Sequence, residues 1–384
     1  MVWRDEGLDR VKKAEFSRLW DLHAAQGSIS AEQHSLTQRL ELGVFVRNRT
    51  AIYLDQKYWI YCRDAAHDIS APLSHRAIWN KLLSLTVAGR IVCPASYPIL
   101  METLKQGRVE KCRETAAVID TLCCNIALRP YEELIRLEIW HTLAELSGGP
   151  FPAKPIDAGW TYPFHVVGES EAAPDWVTEN ERIILEKVAF DVAKGVPLSS
   201  IVNSWTNAGE DPIEDGEDVG RVLNEGAQAH REEVTSFEAA FSSEVAGTLD
   251  AIEPDIEEAT RMFFRTKPEV ALPVPGSEDE AEGFRLVRNL IGNLLRMGHL
   301  STALPFIHVH ATLHAAIRYR NQPYKSTDQW DHLHAHSALG YCDAFFTEKN
   351  LCALLKAGPV HLDKAYNCRV IADPDEVIAY LESL

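Results

Sequence analysis

Carboxylates recur in this 384-residue chain at the places where apolar runs stop. The strand-forming run "AIYL" ends on Asp55, "AFFT" is followed at once by Glu348, and Glu102 lies inside the helical pattern that follows "RIVCPAS". In parallel α/β sheets, loops and helix starts converge at the carboxyl ends of strands, so acids placed there can meet around one ligand. Asp328 and Asp331 stand three apart, which makes them neighbours on one face at the start of a predicted helix. Asp343 opens the run that Glu348 closes; at about 3.3 Å of rise per residue it lies more than ~10 Å from Glu348 and reads as a structural acid or loop cap. What the acids share is their chemistry. Carboxylate oxygens are hard ligands for divalent cations, and three or four of them around one point repel strongly unless a cation joins them. Each also has a plain reading. Asp55 can cap a helix beginning at Gln56, Glu102 can be a solvated acid on a helix surface, and Asp328 and Asp331 can complement a helix dipole.

The elements that must position these acids follow from the hydrophobic period. Residues 1–50 are mostly helical in pattern, with apolar spacing in "AEFSRLWDLHAA" and "AEQHSLTQRLELGVFV". From residue 51 strands and helices alternate: "AIYLD" as strand, "HRAIWNKLLSLTVAG" as a helix ended by Gly89, "RIVCPAS" as strand, then "YPILMETLKQ" as a helix stopped at Gly107. Helical patterns continue through "RETAAVIDTLCC" and "YEELIRLEIWHTLAEL". Residues 151–285 read as an acidic helical insertion between punctuating Gly- and Pro-rich stretches, which divides an α/β unit into 51–150 and 286–384. The second part carries the helices "FRLVRNLIGNLLRMG", "PFIHVHATLHAAIRYR" and "TDQWDHLHAHSALG", the strands "AFFT" and "CRVIA", and a closing helix "PDEVIAYLESL". Strands separated by helices imply an α/β fold with a mostly parallel central sheet flanked by helices.

Composition bounds the function. The net charge of −18 is local: residues 151–285 hold 29 Asp and Glu against 10 Lys and Arg, and the remainder is close to neutral. A near-neutral remainder with basic groups can still meet phosphates, because binding follows the local field. Eight cysteines without a C-x-x-C pair read as reduced thiols of a cytoplasmic protein. The first residues, "MVWRDEGLDRVKK", mix charges where a secretory leader needs an apolar core, and no apolar run reaches the roughly 20 residues that span a bilayer.

Three stretches, "YLDQKYWI", "PASYPILMETL" and "DHLHAHSALGYCDAFFTEKN", together resemble the PIN-like nuclease superfamily, especially bacterial branches. The resemblance covers about 51–145 and 286–384, and its weight lies in the order of the motifs. It implies a PIN-like fold and a cluster of acids that holds Mg²⁺ or Mn²⁺ and cuts a phosphodiester bond, with RNA favoured over DNA. Carried over residue by residue, Asp55 takes the first-strand position, Glu102 the second, Asp331 the helix-start position, and Glu348 approximates the acid after the threonine. The family's usual residue there is Asp, often one place later, where this chain has Lys349. His334 lies within the last motif and is expected to orient Asp331 or the loop before Asp343. Gln56, Lys57 and Asn350 are placed to position the scissile phosphate, with a surface role equally open for Lys57. A toxin, a phage-defence nuclease and an RNA-processing enzyme all fit.

Other readings stay beside this one. A weakened PIN-like module that binds RNA or a protein without cutting is motivated by the imperfect fourth acid, and another metal-dependent phosphohydrolase is a third reading. His310 and His314 stand at i, i+4, with His308, His332 and His336 nearby, but no H-E-x-x-H pattern accompanies them and they read as core histidines. "AHD" at 66–68 suggests an HD-type site, against which the interleaved strands argue. No Walker loop or G-x-S-x-G is present. The acidic insertion is expected as a lid or partner surface beside the metal site, or as a solvated face.

Overall fold

The computed structural model describes residues 6–148, 153–168, 177–208, 217–266, 273–299, 302–325 and 328–384. It is mostly helical around a small parallel sheet, and so α/β in class. The strands are β1 (Thr50–Leu54), β2 (Ile91–Val92), β3 (Ala127–Leu128), β4 (Trp160–Thr161), β5 (Ala344–Phe346) and β6 (Arg369–Ile371).

The sheet runs β2-β1-β5-β6 with every pairing parallel. Its register sets Ile52 against Ala344 and Leu54 against Phe346, so the two segments on either side of the insertion are joined at the centre of the molecule. An isolated parallel bridge from Ala95 to Ala127, with Leu128 N–H donating to the Ala95 carbonyl at 2.8 Å, carries the edge on to β3, which pairs antiparallel with β4. At two residues each, β3 and β4 are too short to show a period, so the sequence does not announce them. Ile52, Tyr53 and Leu54 are fully buried, as a central parallel strand covered on both faces must be.

Local chemistry sets the ends of the elements. Asp55 caps the Gln56–His67 helix, Ser96 caps Tyr97–Leu104 by accepting from Ile99 N–H, and Gly89, with φ +68°, takes the left-handed conformation that ends Leu73–Val87. Asp343 N–H donates to the Ala51 carbonyl at 2.9 Å and its Oδ2 accepts Ala51 N–H at 2.8 Å. That acid clamps the amino ends of β1 and β5, far from Glu348.

The expected boundary at 285 falls inside one continuous helix, Glu278–Arg296, which packs on Phe237–Ala251 and Glu253–Arg265. The segment between is not set apart from the α/β unit either. Trp160, Val166, Leu198 and Val202 belong to the same apolar cluster as the sheet, and Phe237–Ala251 packs along Pro305–Tyr319. Of the punctuating stretches, 149–152, 209–216 and 267–272 lie outside the described residues. The acidity of the insertion is partly neutralised in place by Asp255–Arg136, Glu244–Arg318 and Glu280–Arg261. Glu138, buried in Tyr131–Leu146, accepts Phe306 N–H at 3.1 Å and the Tyr341 hydroxyl at 2.7 Å, tying three helices together; burial pushes its pKa up to about 8. No helix among the described residues is long and apolar enough to cross a membrane.

The N-terminal helices are integral to this arrangement. Lys187 is buried and donates to the carbonyls of Gln26 and Ile29, and the Ala31–Arg47 helix lies so close to Pro155–Ala158 that a Cβ built on Gly43 would overlap the Asp157 carbonyl. Gly43→Ala is therefore expected to cost about 1–3 kcal/mol in urea denaturation. Gly247→Ala, on a helix with open space at that position, is expected to be neutral or stabilising. Equal stabilities for the two variants would contradict this packing.

Candidate active site

Asp55 continues β1 by donating its N–H to the Phe346 carbonyl at 3.1 Å, and its Oδ1 accepts Lys57 N–H at 3.0 Å. Helix cap and functional acid are thus not alternatives. One oxygen holds the helix, which fixes where the other lies at the carboxyl end of the sheet. The residue is 6% exposed.

The adjoining elements bring the partners. Tyr97–Leu104, leaving the end of β2, presents Glu102, whose Oε2 lies 2.7 Å from His334 Nε2. His334 sits one turn after Asp331 on the Asp328–Tyr341 helix and is 2% exposed. Its Nδ1 lies 2.9 Å from the Tyr53 hydroxyl, which lies 2.7 Å from Ser96 Oγ. With both ring nitrogens protonated, Nε2 donates to Glu102, Nδ1 donates to Tyr53, and Tyr53 donates to Ser96. Tyr53 and Ser96 escape a sequence reading, because one looks like strand filling and the other like a helix cap. Glu348 occupies the N-cap position of Lys349–Lys356 with its side chain exposed and making no capping bond.

These groups share one electrostatic field. Burial pushes the Asp55 carboxyl up to about 6; Glu102 and Glu348 push the same way, while His334 and the Thr347 hydroxyl oppose. Burial pushes Asp331 up to about 7, with Asp55, Glu348 and Glu102 adding to the rise and His334 opposing it. Burial works against a charged His334, but Glu102, Asp55 and Asp331 outweigh it and hold the imidazole above its ordinary value. Glu102, Asp55 and Asp331 thus act together on one buried histidine, and Glu348 acts on the two aspartates.

The remaining expected site residues fall differently. The Gln56 amide has both polar atoms buried and without a hydrogen-bond partner, one residue from Asp55. Lys57 Nζ reaches the Ala372 carbonyl at 3.5 Å and lies over the rings of Tyr58 and Tyr61. Asn350 is exposed on the first turn of its helix. Asp343 stays at the opposite end of β5. Asp328 is not gathered with Asp331: its Oδ2 accepts Lys325 N–H at 2.9 Å and its side chain lines a separate cavity. Beside the acids lie two cation–aromatic pairs, Lys57 with Tyr61 and Lys105 Nζ 4.6 Å from the Trp330 ring centroid. Lys105 and Trp330 are additions to the expected set; a Trp directly before Asp331 was the available signal.

The donor set is oxygen only apart from His334, which suits a hard divalent ion, and a cation would relieve the repulsion that raises Asp55 and Asp331. Among the described residues, the one set of three ligand atoms all within 4.8 Å of one another is His23, His34 and Asp191. There the Asp191 carboxylate is already taken by both histidines and by Lys194 at 2.6 Å, so it is a clamp between helices. Among the described residues, no three ligand atoms of the Asp55 group lie within 4.8 Å of one another. No protein-family model, no curated protein and no solved structure matches the chain.

The raised groups fix a pH dependence. Asp55, Asp331 and His334 all have folded pKa values above their unfolded ones, so each binds protons more tightly in the folded state. Their contribution is full below about pH 4 for the acids and lost as pH rises through 6 to 7 and beyond. In chelator the melting temperature is expected to fall between pH 5 and 8, Asp331→Asn to flatten that fall, and Mn²⁺ to raise stability more at pH 8 than at pH 5. A variant curve parallel to that of the unmodified chain would show that Asp331 carries no such shift.

Proposed function

We propose that the protein is a metal-dependent nuclease of the PIN-like type, hydrolysing phosphodiester bonds, with RNA its preferred substrate and Mg²⁺ or Mn²⁺ its cofactor. The observation that carries the reading is the gathering of Asp55, Glu102 and Asp331 about His334 at the carboxyl edge of the parallel sheet, with Glu348 close enough to act on Asp55 and Asp331, in the order of the family-like motifs.

In this reading Asp55, Asp331 and the free oxygen of Glu102 hold the ion, with Glu348 at the open side. A bound divalent ion lowers the pKa of attacking water and offsets charge on the phosphate during in-line displacement. His334 pins Glu102 and supplies a buried positive charge that lets the acids stay close before any ion arrives. Tyr53 and Ser96 hold that imidazole in one orientation. Lys57 offers a cation to the phosphate, whereas the Gln56 amide is buried beside Asp55 and would need to turn outward to reach it. Trp330 presents a partly exposed ring on which an unpaired base can stack, which suits a single strand, whereas Tyr61 is already stacked on His75.

A binding module without cleavage is the second reading. It is favoured by the exposed Glu348 in place of the usual Asp and by the absence, among the described residues, of three converging carboxylates in this group.

Incubation with single-stranded RNA and DNA in Mn²⁺ or Mg²⁺ separates the two. Cleavage that chelator stops, that Asp55→Asn and Glu102→Gln abolish, and that Tyr53→Phe lowers about 10–100-fold through loss of the support behind His334, is the expected result. Binding without cleavage assigns the module, and cleavage undiminished in Asp55→Asn refutes the nuclease site.

A further inference from the structure

The Asp328–Tyr341 helix has a second buried face. While Asp331 and His334 point to the acids, His332 and His336 line a cavity of about 340 Å³ shared with His310 and His314 of the Pro305–Tyr319 helix. Each pair is spaced i, i+4, which sets its two rings one turn apart on one helix face. Two such pairs therefore confront each other across the helix interface. His308 leaves the group to bond the Tyr366 hydroxyl at 2.8 Å.

We propose that His310, His314, His332 and His336 bind a single divalent ion of the zinc, cobalt or nickel type between these two helices. This site is separate from the acid cluster and independent of the nuclease reading.

Four observations carry it. First, the ring centroids lie 4.1 Å apart for His310 and His314, 4.8 Å for His314 and His332, 5.3 Å for His310 and His336, and 6.3 Å for His310 and His332. With metal–nitrogen bonds of about 2.0–2.1 Å in a tetrahedral site, imidazole centroids stand ~5 Å apart, within this range. Second, the polar atoms are orphaned: His310 Nδ1, His332 Nδ1 and both nitrogens of His336 are buried without a hydrogen-bond partner, and His332 and His336 are 3% and 4% exposed. Several buried, unsatisfied ring nitrogens in one cluster are costly unless something binds them.

Third, the rings hold free lone pairs. Burial pulls His310 down to about 4 and His314 well below its ordinary value, which leaves these imidazoles neutral. Fourth, a carboxylate stands behind the set: Glu244 Oε2 lies 3.9 Å from His314 Nδ1, beyond hydrogen-bond length, while Arg318 holds its other oxygen, so a small turn of the ring would bring the two into contact. No three of the ring nitrogens lie within 4.8 Å of one another as the rings stand, so capture of the ion needs ring rotation, for which the cavity has room.

The wall opposite the histidines comes from the insertion, through Leu223, Thr248 and Ile252, and Asn224 exchanges two hydrogen bonds with the backbone of Tyr324. An ion here fastens the helix that carries Asp331 and His334 to its neighbour beneath the insertion.

The test uses the full chain without a histidine tag, stripped with chelator and titrated with Co²⁺. The expected result is about one equivalent per chain with the intense visible absorption of tetrahedral nitrogen coordination, displaced by Zn²⁺, and a higher melting temperature. His310→Gln/His336→Gln should lose the band and weaken binding at least ~10-fold. Asp55→Asn should keep both, because an all-oxygen site gives only weak octahedral absorption, and His23→Gln/His34→Gln should keep both, because the Asp191 carboxylate already engages those two rings. If the double variant does not fold, His332→Gln read by the same band decides. Less than about a tenth of an equivalent bound, no thermal shift with any of the three ions, or a band lost in the His23/His34 variant instead would overturn the proposal.

Discussion

The short contact between His334 and Glu102 is the interaction on which the site depends. A carboxylate and an imidazole meet at 2.7 Å, the histidine almost fully enclosed, with Asp55 and Asp331 close enough to hold the imidazole above its ordinary value. Without the imidazole, the acids would face one another in a poorly solvated pocket and their repulsion would push the helices apart or force protonation. With it, the helix after β2 and the Asp328–Tyr341 helix are bound across the sheet edge. Tyr53, fully buried in the central strand β1, closes the other side of the ring. The site therefore rests on the sheet core and not on surface loops, which is where precise positioning is easiest to maintain.

Burial of the Asp328–Tyr341 helix on two sides extends that constraint. One face carries Asp331 and His334 to the acids; the other carries Asp328, His332 and His336 to the histidine cavity. Each face limits the rotation of the helix for the other, so a change in the cavity has a direct mechanical route to the acids. The insertion takes part through Phe237–Ala251, which packs along Pro305–Tyr319 and forms part of the cavity wall. Leu198–Ala208 packs on the helix that bears Glu102 and on Val109–Leu122. The acidic segment is a brace on both sides of the site.

The N-terminal helices are bound into the same structure by a different device. Asp191 accepts His23 and His34 at 2.9 Å each and Lys194 at 2.6 Å, and these partners outweigh its burial and hold the carboxyl well below its usual range. The contrast with Asp55 is instructive. Two buried aspartates differ in the sign of their shift because one has three donors of its own, whereas the other shares a single histidine with other acids.

Sequence alone settled the features that arise from local preference. Helix periods, the helix end at Gly89, a helix cap as one of two readings of Asp55, and the placing of Asp55 and Glu348 beside strand ends are all properties of short stretches, because capping, turn geometry and amphipathic period are decided within a few residues. Only the tertiary structure decided which of the acids keep company. Asp328 and Asp331 are neighbours on a helix surface by spacing, yet the line between the two buried faces passes between them, and no local rule says where another helix will press. The same holds for the histidines, six of which looked alike in the sequence. Packing sent His334 to Glu102, His308 to Tyr366 and four to a shared cavity, since the fate of a buried imidazole depends on groups hundreds of residues away.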